Sequence, residues 1–429
     1  MQQSLAICHD LRGRLHVTED DPQVRARQTS RSVARPGESH ATRVVRQRVK
    51  RSIPLGGDSI RTGYVGWVSA VLLVMLLLPG GCTRLRGTTA LPARHFGYVM
   101  SQASSTLLVL DTSTNTIVKK LTHADMVKPA SGRFHPSTRR YYAGGVGKVT
   151  VWDTTNLADP VYLRTITPAA GSTGEYRGFL IYNGSTRAID GDVWVTNIQD
   201  SKVYVYRAAD LERPNLTPVK TFGTTDGIGG PHYLHVRPGT REVWLTNRTP
   251  TTKGYLLRFD AMTHTVITTP TLRLETTGTP GDEPSEFAFS KDGAVAFVGH
   301  HGPDQLDVAV IEAATFRLEK LISLISTAKM PAFADIDPES GRVYIMARRG
   351  PTLAVLDIKT ERVLRYIELG GAGVGYGVAT TPDKRYLYLS LGVPEQSAVV
   401  VVDAKTLTIV STILDPDLNG PRHVRFTSY

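Results

Sequence analysis

From about residue 96 the chain is a succession of short apolar runs broken by polar turns, and the pattern repeats. The clearest unit is an apolar run ending in an acidic residue, then a short turn, then a second apolar run. It stands first as LLVLDTSTNTIV, with Asp111 at the acidic position. It recurs as VTVWDTTN (Asp153), LLRFDAMTHTVI (Asp260), VAVIEAATFRLEKLI (Glu312), LAVLDIKTERVLRYI (Asp357) and VVVVDAKTLTIVSTI (Asp403). One further copy, VYVYRAADLERP, carries Arg207 there. Several copies follow a strand-like run such as GDVWVTN (191–197), REVWLTN (241–247), GRVYIMA (341–347) or KRYLYLS (384–390). Before these come another run and a turn: HVRPGT, FAFSKDG, ADIDPESG, VATTPDK. Gly, Pro, Asp and Ser at such turns supply the dihedrals that tight hairpins need. The recurrent acidic residues read as structural, because the turn needs a side-chain acceptor. His135 in FHPSTRR reads as a hairpin residue.

The copies lie about 42 to about 54 residues apart, the length of a propeller blade. Each unit therefore reads as four antiparallel strands, a to d. One such unit cannot bury both of its faces, but seven arranged radially can. GPRHVRFTSY (420–429) reads as a strand a with nothing after it, and HFGYVMS (95–101) as a strand b with nothing before it. The expectation is an all-β, seven-bladed β-propeller over 95–429, closed by its C-terminal strand.

Ahead of it, Tyr64–Leu78 is nearly unbroken apolar sequence, short of the ~20 residues that span a bilayer. A basic flank precedes it and Pro79-Gly80-Gly81-Cys82 follows. A positive flank, a short apolar run, small residues and Cys read as a lipoprotein signal peptide at 63–81, with lipidation at Cys82 and a linker over 82–94. An uncleaved anchor and plain secretion are the alternatives. Residues 1–62 are Arg- and Ser-rich without apolar periodicity, and read as a disordered extension or a misassigned start.

The net charge of +11 invites a nucleic-acid reading. Residues 1–62, however, hold 12 Lys and Arg against 6 Asp and Glu, about half of the excess. The rest is spread thinly, which suits a solvated basic surface and no nucleic-acid groove. Only Cys8 and Cys82 are present, so a mature chain starting at Cys82 carries one cysteine. No GxSxG, HExxH or P-loop occurs.

In a propeller the d–a and b–c loops open on one face, around the central channel. The d–a loops contribute Arg177, His232, Glu286, Lys329, Tyr376, Arg422 and His423. The b–c loops contribute Asn197, Arg248, His300, His301, Asp304, Arg348 and Arg349. A basic, His-bearing mouth suits an anionic ligand, a metal or a tetrapyrrole with carboxylates. The binding set is His232, His301, Arg248, Arg348, Arg422 and Tyr376. For a metal the candidates are His300, His301, Glu286 and Asp304.

The repeats resemble the YVTN-type propeller repeats of bacterial surface and periplasmic proteins, with VWVTN (193–197) and VWLTN (243–247) the nearest echoes. A narrower resemblance is to the haem d1 propeller of cytochrome cd1 nitrite reductase and the lipoprotein of haem d1 assembly. It rests on SAVVVVDAKTLTIVSTILDPDLNGPRHVRF (397–426), GHHGPDQLDVAVI (299–311) and CTRLRGTTA (82–90). His232 falls where that family has a His above the haem. Near Ser131 and Gly132, where the family has an iron-ligating His, this chain has none, and no Cys-x-x-Cys-His occurs.

Three functions follow. The first is a lipid-anchored, extracytoplasmic scaffold, monomeric, binding an envelope protein or a small anionic ligand. The second, implied by the resemblance, is a haem d1-type carrier or assembly protein of nitrite respiration. The third is a metal-dependent lactonase-type hydrolase with Glu286, Asn197 and Asp304 around a Ca²⁺-like ion. The reading leans away from an enzyme.

Overall fold

The computed structural model describes residues 94–427, apart from 136–137, 169–171, 183–190, 214–215, 249–253, 268–271, 274–282, 303–304, 371–372 and 393–396. Nearer the N-terminus it describes one antiparallel pair, Cys8–His9 with Leu15–His16. Two compact units result, Met1–Arg86 and Gly87–Tyr429. Cys82, the apolar run before it and Asp304 lie outside the described residues. Among the described residues no helix is long and apolar enough to cross a membrane.

The second unit is all-β but for two short 3₁₀ turns among its described residues. Its strands form seven four-stranded antiparallel blades. Blade 1 runs Ser131–His135, Arg140–Gly144, Val149–Asp153 and Val161–Ile166. Blade 2 runs Tyr176–Tyr182, Asp192–Asn197, Lys202–Arg207 and Lys220–Phe222. Blade 3 runs Pro231–Val236, Glu242–Asn247, Tyr255–Asp260 and Thr265–Val266, with Leu272–Arg273 also on its third strand. Blade 4 runs Pro284–Phe289, Val295–His300, Asp307–Glu312 and Arg317–Ser323. Blade 5 runs Lys329–Asp337, Arg342–Arg349, Thr352–Asp357 and Arg362–Glu368. Blade 6 runs Val374–Thr380, Tyr386–Gly392, Ala398–Asp403 and Thr408–Leu414. Blade 7 takes its inner strand from the C-terminal end, Pro421–Phe426, and the rest from Phe96–Ser101, Thr106–Asp111 and Thr116–Thr122.

Each inner strand packs on the inner strands of the blades beside it, and the inner strand of blade 7 packs on that of blade 1. The ring is closed. Aromatic side chains fill the seams between blades. Trp244 meets Phe289 and Phe316 of blade 4 at 4.9 and 4.8 Å, and Tyr98 meets Phe134 and Tyr141 of blade 1 at 4.6 and 4.9 Å. Tilted and edge-on contacts of this kind add to the area they bury.

Two local devices recur. The acidic turn residues accept backbone N–H groups, as expected. Asp357 takes the amide of Thr360 at 2.6 Å, and Asp403 those of Lys405 and Thr406 at 2.9 and 2.8 Å. Four residues after the acid the chain turns left-handed, at Asn115, His264, Phe316, Glu361 and Leu407. Second, the inner strands of blades 2 to 7 each carry a bulge, and in blades 2 to 6 it lies at the strand's first residues. A bulge breaks the two-residue alternation and re-aims side chains. This is how consecutive residues such as His232 and Tyr233, or Arg422 and His423, come to line one cavity.

Candidate functional site

At the mouth of the channel lies a small pocket, partly open to solvent. Arg177, His232, Tyr233, His301, Arg348, Tyr376, Arg422 and His423 line it, with Ala130 and Phe333. Five of the six residues in the sequence-derived binding set are among them. The sixth, Arg248, touches His301 from behind, its guanidinium 2.9 Å from Nδ1.

The polar side chains form a belt around the mouth. Arg422 donates to Gln102 at 2.7 Å, Gln102 to Glu175 at 2.7 Å, and Arg177 to the same carboxylate at 2.7 and 3.0 Å. Arg177 also lies 3.4 Å from Nε2 of His232. On the other side Arg248 is paired with Glu283, and Arg348 contacts Nε2 of His301. Tyr376 joins the two halves, with the guanidinium of Arg422 4.2 Å and that of Arg348 5.4 Å from its ring centre. These are cation–π distances. Between Arg177 and Arg248 no hydrogen bond closes the belt among the described residues.

Burial governs the protonation states. It pushes His301 down to about 4, with Glu283 opposing and Arg248 and Arg348 assisting. His232 and His423, only 2% and 3% exposed, are held well below the ordinary histidine range by burial and then by neighbouring arginines. All three rings are neutral at neutral pH. A neutral imidazole has one donor and one acceptor nitrogen. Both nitrogens of the His301 ring face guanidinium donors, Nδ1 that of Arg248 at 2.9 Å and Nε2 that of Arg348, and a neutral ring can accept from only one of them. Burial raises Glu283, but hydrogen bonds from His301 and Arg248 outweigh it and keep the carboxylate ionised.

Charge is therefore unbalanced. Four guanidinium groups face two carboxylates, Glu175 and Glu283. No carboxylate lies within ion-pair distance of Arg348 or Arg422 among the described residues. Burial lowers Arg248 and Arg422 from their ordinary range, the mark of cations held partly out of water.

Other expected residues are engaged elsewhere. Glu286 belongs not to the rim but to the buried channel wall, where Arg425 pairs with it at 3.1 Å and His423 lies 3.8 Å away. Asn197 is committed to holding loops together, donating to Ser172 at 3.0 Å and accepting from the amide of Asp200 at 3.0 Å. His300 is buried in its strand, with Nδ1 2.9 Å from the carbonyl of Asp307, and points away from its neighbour's partners. Arg349 and Lys329 are exposed. His135 is buried, and its Nδ1 accepts the amide of Thr138 at 3.3 Å. Among the described residues no group of three His, Cys, Asp or Glu could hold a metal.

Sequence reasoning missed Glu175, Glu283, Gln102 and Tyr233. Glu175 was within reach, because it stands two residues before Arg177, on the same side of an extended chain. Tyr233, whose hydroxyl is 2.5 Å from Nε2 of His423, was hidden by the bulge.

Fold and site define a closed β-propeller with a basic, half-buried mouth. No family model and no curated protein matches the chain. Among solved structures it is similar to dihydro-haem d1 dehydrogenase NirN in complex with DHE, at 14% identity over 77% of this chain and 75% of that one, with a TM-score of 0.54. It is also similar to a functionally unknown protein from Desulfotomaculum acetoxidans DSM 771, at 13% identity over 77% and 98%, with a TM-score of 0.59. At these identities the likeness is one of fold.

Proposed function

We propose that this propeller is a binding module that takes a small anionic ligand at its channel mouth, and that a lipid on Cys82 tethers it to a membrane outside the cytoplasm. The observation that carries the ligand reading is the charge imbalance. Four arginines from four blades converge, and among the described residues Arg348 and Arg422 meet only neutral partners. In such a setting a carboxylate or phosphate gains charge-assisted hydrogen bonds that count for more than in water. The tether rests on the sequence alone.

Acetate is the simplest probe, with binding followed by NMR titration. Arg348→Ala and Arg422→Ala should each weaken it by roughly 1–3 kcal/mol with little change in folding. Lys384→Ala, in a hairpin turn at the other end, should leave it unchanged. If all three act alike, or acetate shifts no mouth resonance, the reading is wrong. For the tether, Cys82→Ala should move the protein from the membrane to the soluble fraction.

A second reading takes its cue from the likeness to dihydro-haem d1 dehydrogenase: a carrier or assembly role for a haem d1-type tetrapyrrole. Arg348 and Arg422 suit the acid groups of such a ligand. They do not suit its iron. Both ring nitrogens of His301 face guanidinium groups, and Nε2 of His423 is bonded to Tyr233. A Soret band in protein purified from its native host would favour this second reading.

A further inference from the structure

The polar belt has one gap, and a second space opens there. Between Arg177 and Arg248 lies a groove enclosing about 890 Å³, much of it open to solvent, lined by those two residues and by Ile198, Gln199, Ser201, Gly229, Gly230 and Glu283. Arg177 is common to groove and cavity. The two spaces differ in chemistry. The cavity carries the unbalanced arginines. In the groove Arg177 is paired with Glu175 and Arg248 with Glu283, so its charge is nearly spent.

What the groove offers instead is hydrogen bonding. The Gln199 carbonyl oxygen accepts the amide of Glu175 at 2.7 Å, which turns its NH₂ group away from that bond. Ser201 donates to the carbonyl of Gly229 at 3.1 Å and keeps its lone pairs as acceptors. The floor is bare backbone. Gly230 admits no side chain, because a Cβ there would lie 1.6 Å from the carbonyl oxygen of Arg248. Among the described residues no aromatic ring lines the groove, and Ile198 supplies its one aliphatic wall. Donors, acceptors and an aliphatic patch without a ring or a free charge suit hydroxyl groups, not a planar aromatic or a second anion.

Building on the anion-binding reading above, we infer that cavity and groove take one ligand together, a hydroxylated organic acid of the sugar-acid type. Its acid group lies against Arg348 and Arg422, and its hydroxyl-bearing body leaves through the gap between Arg177 and Arg248.

Three probes test this by NMR titration: acetate for the acid group alone, glucose for the body alone, and glucuronate for both. Glucuronate should bind at least tenfold more tightly than acetate, and glucose should not bind measurably. The double variant Gln199→Ala with Ser201→Ala should bring glucuronate down to the level of acetate and leave acetate untouched, which also shows that the variant is folded. Glucuronate and acetate binding within twofold of each other would overturn the inference and leave the anion site standing. So would a double variant that weakens both acids equally. If neither acid binds, the anion-binding reading itself fails, and this inference with it.

Discussion

The two ends of the propeller are made by the same strands but use their polar side chains in different ways. At the end away from the mouth every acidic turn is satisfied by its own neighbours. Asp111, Asp153, Asp260, Asp357 and Asp403 each accept an amide two or three residues ahead. At the mouth the partners are far apart in the chain: most come from different blades, and Arg422 meets Gln102 within blade 7 from the opposite end of the sequence. Arg248 and Glu283 are 35 residues apart, Gln102 and Glu175 are 73 apart, and Arg422 and Gln102 are 320 apart. At one end the acidic turns close on themselves, although side chains such as His264 and Arg342 also reach Asp192 and the Ala404 carbonyl in the neighbouring blades. The other is a single assembly that exists only when the ring is whole.

The sharpest way to break this contrast is to open the ring. Deleting 420–429 removes the inner strand of blade 7 and bares two strand edges. The mouth loses Arg422 and His423 along with its closure. Aggregation or loss of cooperative melting is expected, beyond the cost of an ordinary surface change. A truncated protein melting at the wild-type temperature would show that the ends do not depend on one another.

A smaller effect separates the ends by glycine. Gly230→Ala forces a Cβ against the Arg248 carbonyl and should cost roughly 2–4 kcal/mol by denaturant unfolding. Gly239 lies in a hairpin turn of the other end, with φ of +71° and nothing within 4 Å of an added Cβ. Gly239→Ala there should cost only about 1 kcal/mol, the strain of left-handed backbone. Equal costs would mean that the mouth packs no more tightly than the turns.

The mildest test is acid. Burial holds His301 down to about 4 and His235 to about 3, and holds His232 and His423 well below the ordinary range. In the unfolded chain a histidine titrates near ~6.5. Stability from these groups is thus complete above that pH and is lost as pH falls toward 4, by up to ~1.4 kcal/mol per pH unit for each. The turn aspartates behave differently. Backbone amides hold Asp357 and Asp403 below the ordinary carboxylate range, so their contribution is lost only as pH falls through and below that range, near ~3.9. Melting temperature against pH should therefore fall in two limbs. His301→Gln should shallow the upper limb alone, and Asp403→Ala the lower one alone. A single limb below pH 4 would remove the distinction.

The same contrast governs what the sequence discloses. The acidic turns are local, so their repetition along the chain announces both the blade and the role of the acid. Strand polarity sorts the loops by face, which was enough to gather Arg177, His232, His301, Arg348, Tyr376, Arg422 and His423 on one cavity. It could not fix depth. Glu286 was expected on the rim and lies in the buried wall, because the bulge at the start of its strand shifts the register. Nor could spacing pair Arg248 with Glu283, since that contact depends on how two blades abut. The left-handed residue that follows five of the acids was hidden for another reason: Phe316, Glu361 and Leu407 are not residue types that favour positive φ.

The shared blade also sets a timetable. Ser101 and Asn419, which exchange hydrogen bonds across the closure, are 318 residues apart in the chain. At the usual pace of synthesis, the strand Phe96–Ser101 waits roughly 15–60 s for its partner to emerge from the ribosome. Until then its inner edge has no ladder to join. Six blades can form in the order in which they are made. The blade begun first is the last to be finished, and the mouth, which needs all seven, comes into being only after translation has passed its final strand.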